Sequence, residues 1–291
     1  MCAFQLHDMK VRRPRQVKWD FSGTSVLITG AAHGQGRLHA LRFAEAGADL
    51  ALCDLPDGKL ETVAYAVGSR AELEEVAEQC RALGARVHTA ICDVRSSVQV
   101  QAFVDGARQA LGRIDVAIAN AGIASLVEVS EMTELDWDVM LDTNLKGVFL
   151  TLKHASRHML EQGQGGSLIA TGSVHTFTGV PGSAHYAAAK HGIAGFCKSL
   201  AIELAPSKIR VNYVCPTALN TQMVGAMSSP KVPANFGERL VATTGCWNLL
   251  DEGAPLVEPV EVTEAIMYLA SDASLYVTGA PLLVDAGFTA K

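Results

Sequence analysis

From Ser25 onward, short runs that are apolar on successive residues alternate with longer stretches of helical periodicity. The runs Ser25–Thr29, Asp49–Cys53, Arg86–Cys92, Asp115–Ala119, Ser167–Thr171, Ile209–Val214 and Leu282–Asp285 read as strands. Unbroken apolar triplets such as Val26-Leu27-Ile28 and Val116-Ala117-Ile118 suit strands covered on both faces. Between them, Gln35–Ala46, Ala71–Leu83, Ser97–Leu111, Ala184–Leu204 and Pro259–Ala270 carry helical spacing, with Gly47, Gly84 and Gly112 as stops after the first three. Alternation of this kind predicts an α/β chain with a buried, doubly wound, seven-stranded parallel sheet and helices on both faces.

Two segments break the rhythm. Residues 55–70 intervene between the second strand and its helix, and residues 217–258 separate the sixth strand from the last helix. Loops of that length in a compact domain are usually functional or disordered. The second mixes Met223, Met227, Phe236, Trp247, Leu249 and Leu250 with prolines. It reads either as an apolar lid over a substrate site or as packing against a neighbouring subunit.

Composition narrows the classes. Nearly half of the 291 residues are apolar, enough for a core without disulfides. The seven cysteines are scattered, with no C-x-x-C pair, which suits a reducing cytoplasm. A net charge of -6 argues against nucleic-acid binding, and no uninterrupted apolar stretch reaches membrane-spanning length. Residues 1–22 form a basic arm, with Lys10, Arg12, Arg13, Arg15 and Lys18 against Asp8 and Asp20, and residues 23–291 form a single domain.

The first strand runs into Gly30-Ala31-Ala32-His33-Gly34-Gln35-Gly36 at a helix start. Glycines there let the backbone approach a pyrophosphate, whose charge meets free N–H groups. Asp54 lies 24 residues beyond Gly30, at the end of the second strand, where a carboxylate accepts from adenosine ribose hydroxyls and repels a 2'-phosphate. NAD is therefore favoured over NADP, although His33 and Arg37 are cations nearby. Arg37 also reads as an ordinary helix residue. Asp93-Val94 would sit beside the adenine, and Asn120-Ala121-Gly122 would floor the cleft, both at strand ends of a Rossmann-type sheet.

Tyr186 and Lys190 share one helix face at i and i+4, and Ser173 lies 13 residues before Tyr186. Alcohol oxidation needs a base, and a free phenol titrates too high to supply one at neutral pH. A neighbouring ammonium lowers its pKa, so Lys190 is expected to draw Tyr186 down while holding the nicotinamide ribose. Ser173 would hydrogen-bond the substrate oxygen. Asn144, polar within an apolar helix, is placed to hold a water that relays protons to Lys190.

With these motifs in order, the chain resembles the short-chain dehydrogenase/reductase family from about Thr24 to Phe288. The resemblance implies Tyr186 as acid/base, Lys190 as its partner, Ser173 as orienter and Asn144 as relay support. It also implies cofactor contacts from Pro216, Thr217 and Thr221, and a homotetramer. Thr217 departs from the family, where glycine usually follows the proline. Residues 65–69 and 220–224 further resemble the mycofactocin-associated, carveol-dehydrogenase-like enzymes. That resemblance implies NAD recycled in place by an external redox partner such as mycofactocin.

The expected activity is NAD-dependent interconversion of a hydrophobic secondary alcohol and its ketone. Ser173, His175, Tyr186 and Met223 are the candidate substrate contacts. An idle NAD-binding scaffold is the alternative. His185 is a further candidate at the substrate mouth. His154 and His158 stand at i and i+4, but no third ligand is signposted, so no metal is expected. Cys215 reads as buried packing, since no base is signposted for it.

Overall fold

The computed structural model describes residues 17–56, 59–223, 232, 235, 236, 238, 239, 242, 248–250 and 256–290. The strands are Ser25–Thr29 (β1), Asp49–Asp54 (β2), Val87–Ile91 (β3), Val116–Ala119 (β4), Gly166–Thr171 (β5), Ile209–Pro216 (β6) and Pro281–Val284 (β7). All pair in parallel, in the order β3-β2-β1-β4-β5-β6-β7. The helices are Gly34–Glu45 (α1), Arg70–Ala82 (α2), Ser97–Leu111 (α3), Glu134–Leu141 (α4), Gly147–Gln162 (α5), Ala184–Leu204 (α6) and Pro259–Ala270 (α7).

Successive strand residues point to opposite faces, so one sequence feeds two cores. Leu27, Ala117, Leu168 and Tyr213 meet Phe103 of α3, Leu152 of α5 and Ile193 of α6. Val26, Ile28, Leu50 and Ile118 meet Phe43 of α1, Leu73 of α2 and Ile266 of α7. The expectation of a wholly buried sheet needs correction at its edges. Every residue of β3 is only partly buried, and β7 alternates exposed with partly buried positions. An outermost strand has a neighbour on one side only.

The reversal of strand order places a crevice at the carboxyl ends of β1 and β4, where ligands bind in open α/β sheets. Two local features shape it. Helix α4, not read from the sequence, begins at a reciprocal cap in which Thr133 and Asp136 bond each other's backbone N–H. It runs into α5 through a π-turn, Asp142–Lys146, so the helix read around Asn144 is continuous but locally widened there.

At the amino-terminal end, Trp19 donates from Nε1 to Glu264 of α7 at 2.7 Å, and Phe21 is buried edge-on against Phe43. The end of the expected arm is thus part of the folded body, while residues 1–16 lie outside the described residues. Most of the expected lid also lies outside them, including Met227 and Trp247. Among the described residues, no helix is long and apolar enough to cross a membrane.

His39 of α1 ties the two helices that flank β1 on one face. It is fully buried, with Nδ1 2.8 Å from Thr263 Oγ1 of α7. Burial holds its pKa down at about 3, against about 6.5 for a free histidine. The unfolded chain therefore takes up the proton first. Stability from neutral His39 is complete above pH 6.5 and is lost as the pH falls toward 3. By pH 5 the loss is about 2 kcal/mol. Denaturant unfolding at pH 7.5 and pH 5 should show it, with a smaller drop in His39→Gln. An equal drop in the variant would discount His39.

Candidate active site

The glycine segment closes the end of β1 against the start of α1. Gly36 has no room for a side chain: a Cβ would stand 1.9 Å from the Gly30 carbonyl oxygen and 2.8 Å from Asn120 Nδ2. Asn120 fixes the loop from β4, donating from Nδ2 to the carbonyls of Thr29 and Gly30 at 3.0 and 3.2 Å. The backbone N–H groups of Asn120 and Ala121 in turn donate to Thr29 Oγ1. These bonds bring together Gly30, His33, Gly34, Gln35, Gly36, Asn120, Ala121 and Gly122 on one groove wall.

Asp54 faces the same groove from the end of β2. Its carboxylate accepts from the backbone N–H groups of Ala32 and Leu55, each at 2.8 Å. Burial pushes its pKa up despite those donors and nearby His33. Asp93 and Val94 line the adjoining wall, as expected. The Asp93 carboxylate, however, is gripped by Arg95, whose Nε and Nη2 both donate to it, at 2.7 Å for Nη2. Arg95 was not among the expected site residues. It also reaches Glu61 in the segment after β2. Arg37 is drawn away to Gln79 of α2, in keeping with an ordinary helix role.

The described part of residues 55–70 forms a strap along the groove. Leu60, Tyr65, Val67 and Gly68 line it. The apolar side chains Leu55, Leu60, Val63, Tyr65 and Val67 cluster with Ile123, Met140 and Tyr186. Tyr65 Oη accepts from the backbone N–H of Ala124 at 2.9 Å, joining strap to opposite wall. Gly68 lets the strap touch Asp54, since a Cβ there would lie 2.3 Å from the carboxylate. The capping box of Ser69 and Glu72 then starts α2. A tyrosine ahead of Gly-Ser was visible in the sequence, but nothing local assigns it Ala124 as a partner.

The groove continues into a mainly apolar cavity lined by Leu126, Val174, Val180, Leu219, Met223 and Phe236. Ser173, His175, Tyr186, Lys190, Asn144, Pro216, Thr217 and Thr221 all reach this cavity, so the structure assembles every expected catalytic and substrate-contact residue in one place. Ser125 also lines it, bonded to buried His185 Nε2 at 2.9 Å, so His185 stands behind the wall. No spacing rule signals Ser125.

Ser173 and Tyr186 line this cavity together, and Lys190 Nζ lies 5.5 Å from the Tyr186 ring's centroid. Burial pushes Tyr186 up to about 12, with the Ser173 hydroxyl pulling it down. Burial lowers Lys190 to about 8. The phenol thus lies above its ordinary value, opposite to the expected effect of Lys190. Lys190 Nζ donates to the Thr171 carbonyl at 2.7 Å, and desolvation is the largest influence on the phenol. Asn144 sits in the π-turn. Its side-chain amide bonds both Ile123 backbone groups, at 3.0 and 2.9 Å, clamping the strand-to-loop turn.

His154 and His158 turn toward α3, on Ser97 at 3.3 Å and Asp105 at 2.7 Å, and no metal-holding group of three occurs among the described residues. Cys215 is buried against Thr176, with its thiol pushed up to about 11 by burial, in keeping with packing.

The cleft fits a dinucleotide in its donor set as well as its shape. Among the described residues, His33 Nε2, Gln35 Oε1, Thr143 Oγ1 and Thr217 Oγ1 are buried polar atoms without a protein partner, and all four belong to residues lining this cleft. Such atoms in one groove mark a polar ligand.

Residues 30–289 match a family model described as enoyl-(acyl carrier protein) reductase. The chain is 40% identical over 275 residues to (−)-trans-carveol dehydrogenase of Rhodococcus erythropolis, covering 92% of this chain and 98% of that protein. Among solved structures, carveol dehydrogenase from Mycobacterium avium in complex with NAD is 37% identical with a TM-score of 0.84, covering 93% and 99% of the two chains. A short-chain dehydrogenase from Mycobacterium paratuberculosis bound to NAD is 33% identical with a TM-score of 0.86, covering 94% and 100%.

Proposed function

Because the chain belongs to the short-chain dehydrogenase/reductase family, we propose that it interconverts a hydrophobic secondary alcohol and its ketone using NAD, with Tyr186 as general acid/base. The convergence of Ser173, Tyr186 and Lys190 on an apolar cavity that opens into the glycine-lined groove carries this reading. The names of the Rhodococcus and Mycobacterium avium relatives support an alcohol of the cyclic terpenoid class.

When bound, NAD supplies the hydride acceptor for oxidation and, as NADH, the donor for reduction. Asp54 would take the adenosine ribose hydroxyls, the amide groups at the start of α1 the pyrophosphate, and Lys190 with Thr217 and Thr221 the nicotinamide end. In ketone reduction, Tyr186 gives its proton to the carbonyl oxygen while Ser173 donates to that oxygen. In oxidation, the phenolate takes the hydroxyl proton back. A phenol held near 12 stays protonated at neutral pH, the form that ketone reduction requires.

Incubation with cyclic secondary alcohols and ketones should change absorbance at 340 nm or, if NAD stays bound, reduce an artificial electron acceptor. Silence across both assays would sink the reading. The strap supports retention of NAD, in which case an external acceptor, mycofactocin or another, resets the enzyme. Release of stoichiometric NAD(H) on denaturing freshly purified protein would accord with this. The exposed Trp137 and Phe149 suit the expected homotetramer.

Tyr65→Phe tests the strap separately. It leaves the ring in its apolar cluster but removes the acceptor for Ala124 N–H. Loss of one such bond corresponds to about a fivefold to tenfold faster release of NADH, read by stopped-flow fluorescence. An unchanged rate would show that the strap does not limit release.

A further inference from the structure

Ser173 can assist an oxygen that is gaining negative charge only as a hydrogen-bond donor. A serine hydroxyl carries one proton and two acceptor sites. A neighbour that takes the proton disarms it, whereas neighbours that fill the acceptor sites aim it. In the turn that follows it, capped by Ser173 and Thr176, His175 meets Ser173 Oγ with two groups. The backbone N–H of His175 donates at 3.2 Å, and its ring Nδ1 stands at 3.3 Å. The imidazole is fixed edge-on to Tyr186, with ring centroids 5.1 Å apart and planes at 83°.

We infer that His175 is a positioning residue: with its ring protonated on Nδ1, it donates twice to Ser173 Oγ and so leaves the serine proton for the substrate oxygen. This rests on the dehydrogenase reading above. The opposite tautomer would draw the serine proton onto Nδ1 and leave a nascent Tyr186 phenolate facing lone pairs. The donor role of Ser173 and the Nδ1–H tautomer of His175 therefore stand or fall together.

The ring must be neutral for this to operate, and its surroundings keep it so. Burial, then the charges of Lys190 and His191 on α6, hold His175 down at about 4. The other titratable groups facing the Ser173–Tyr186 pair are Cys215 from β6 and Tyr65 from the strap. His175 thus presents a fixed N–H dipole throughout the physiological range. Its remaining ring nitrogen belongs to a side chain lining the substrate cavity.

Two substitutions separate this role from packing and from substrate contact. Leucine fills the space with no donor, whereas asparagine sets an amide N–H where Nδ1–H stands. His175→Leu should lower kcat about 10- to 100-fold, with KM and NADH affinity within about twofold. It should also move the Tyr186 limb of the oxidation pH profile up by about one unit, because the phenolate loses its aligned donor. His175→Asn should restore most of kcat and return the limb. A raised KM with intact kcat would make His175 a substrate contact and overturn the proposal. Equal impairment of both variants would reduce it to packing and overturn it as well. Tyr186→Phe, run alongside, tells the two levels apart: if that variant keeps full activity, the dehydrogenase mechanism itself has failed.

Discussion

Tyr186→Phe is expected to lower kcat/KM about 1000-fold while leaving NADH affinity within about twofold. The size follows from the lack of a substitute acid at the same point. Ser173 has a hydroxyl too weakly acidic to replace a phenol, and Lys190 is turned onto the Thr171 carbonyl. His175 is neutral and edge-on to the ring whose hydroxyl would be lost. Phenylalanine keeps that ring, and with it the contacts to the strap cluster, so the fold should survive. Initial rates at 340 nm measure the loss, and fluorescence titration with NADH measures the affinity. A variant retaining more than about a tenth of the activity would remove the phenol from proton transfer. The direction of reaction adds a check. With Tyr186 pushed up to about 12, oxidation should rise with pH through the neutral range while reduction stays level.

Gly36→Ala is expected to weaken NAD binding about 100-fold, or about 2.7 kcal/mol. Alanine is the smallest possible intrusion, yet its Cβ would meet the Gly30 carbonyl at 1.9 Å. That neighbour is backbone and cannot rotate aside, so α1 must back away from the loop. The displacement moves the amide groups proposed to meet the pyrophosphate and breaks the reach of Asn120 Nδ2 to Thr29 and Gly30. Overpacking of this kind costs about 1–3 kcal/mol in stability as well. Isothermal titration with NAD, with circular dichroism as a control for folding, gives the answer. Affinity within threefold of the parent would show that the glycine segment does not cradle the cofactor.

The seven strands were readable because each buried run outweighs local ambiguity: Val26-Leu27-Ile28 and Leu50-Ala51-Leu52 have few other homes. Helix α4 was not, since its eight residues mix charge and apolarity without a clear stripe, and only the Thr133–Asp136 box announces it. The π-turn at Asn144 was hidden for a related reason. One added residue in a helix leaves no mark on composition, and it disturbs the hydrophobic period over too short a span to detect. At the candidate site, residues tied to the glycine loop or to the i,i+4 spacing were legible. Arg95 on Asp93, Tyr65 on Ala124 and the Lys190 bond to Thr171 were not, because each depends on a partner brought near only by folding. The sign of the Tyr186 shift escaped for the same reason. The lysine is visible in the sequence, but the desolvation that raises the phenol is a property of the assembled cavity.

The strap, tied through Tyr65 to the wall opposite and through Gly68 to Asp54, also has a kinetic meaning. A cofactor held beneath it for longer than a catalytic cycle ceases to be a co-substrate and becomes a fixed redox group. The alcohol would then leave as ketone before the electron acceptor arrives, and the two half-reactions would take turns in one cavity. Double-reciprocal plots would run parallel, and adding free NAD would not raise the rate. An enzyme so built answers to the supply of its acceptor rather than to the NAD pool around it.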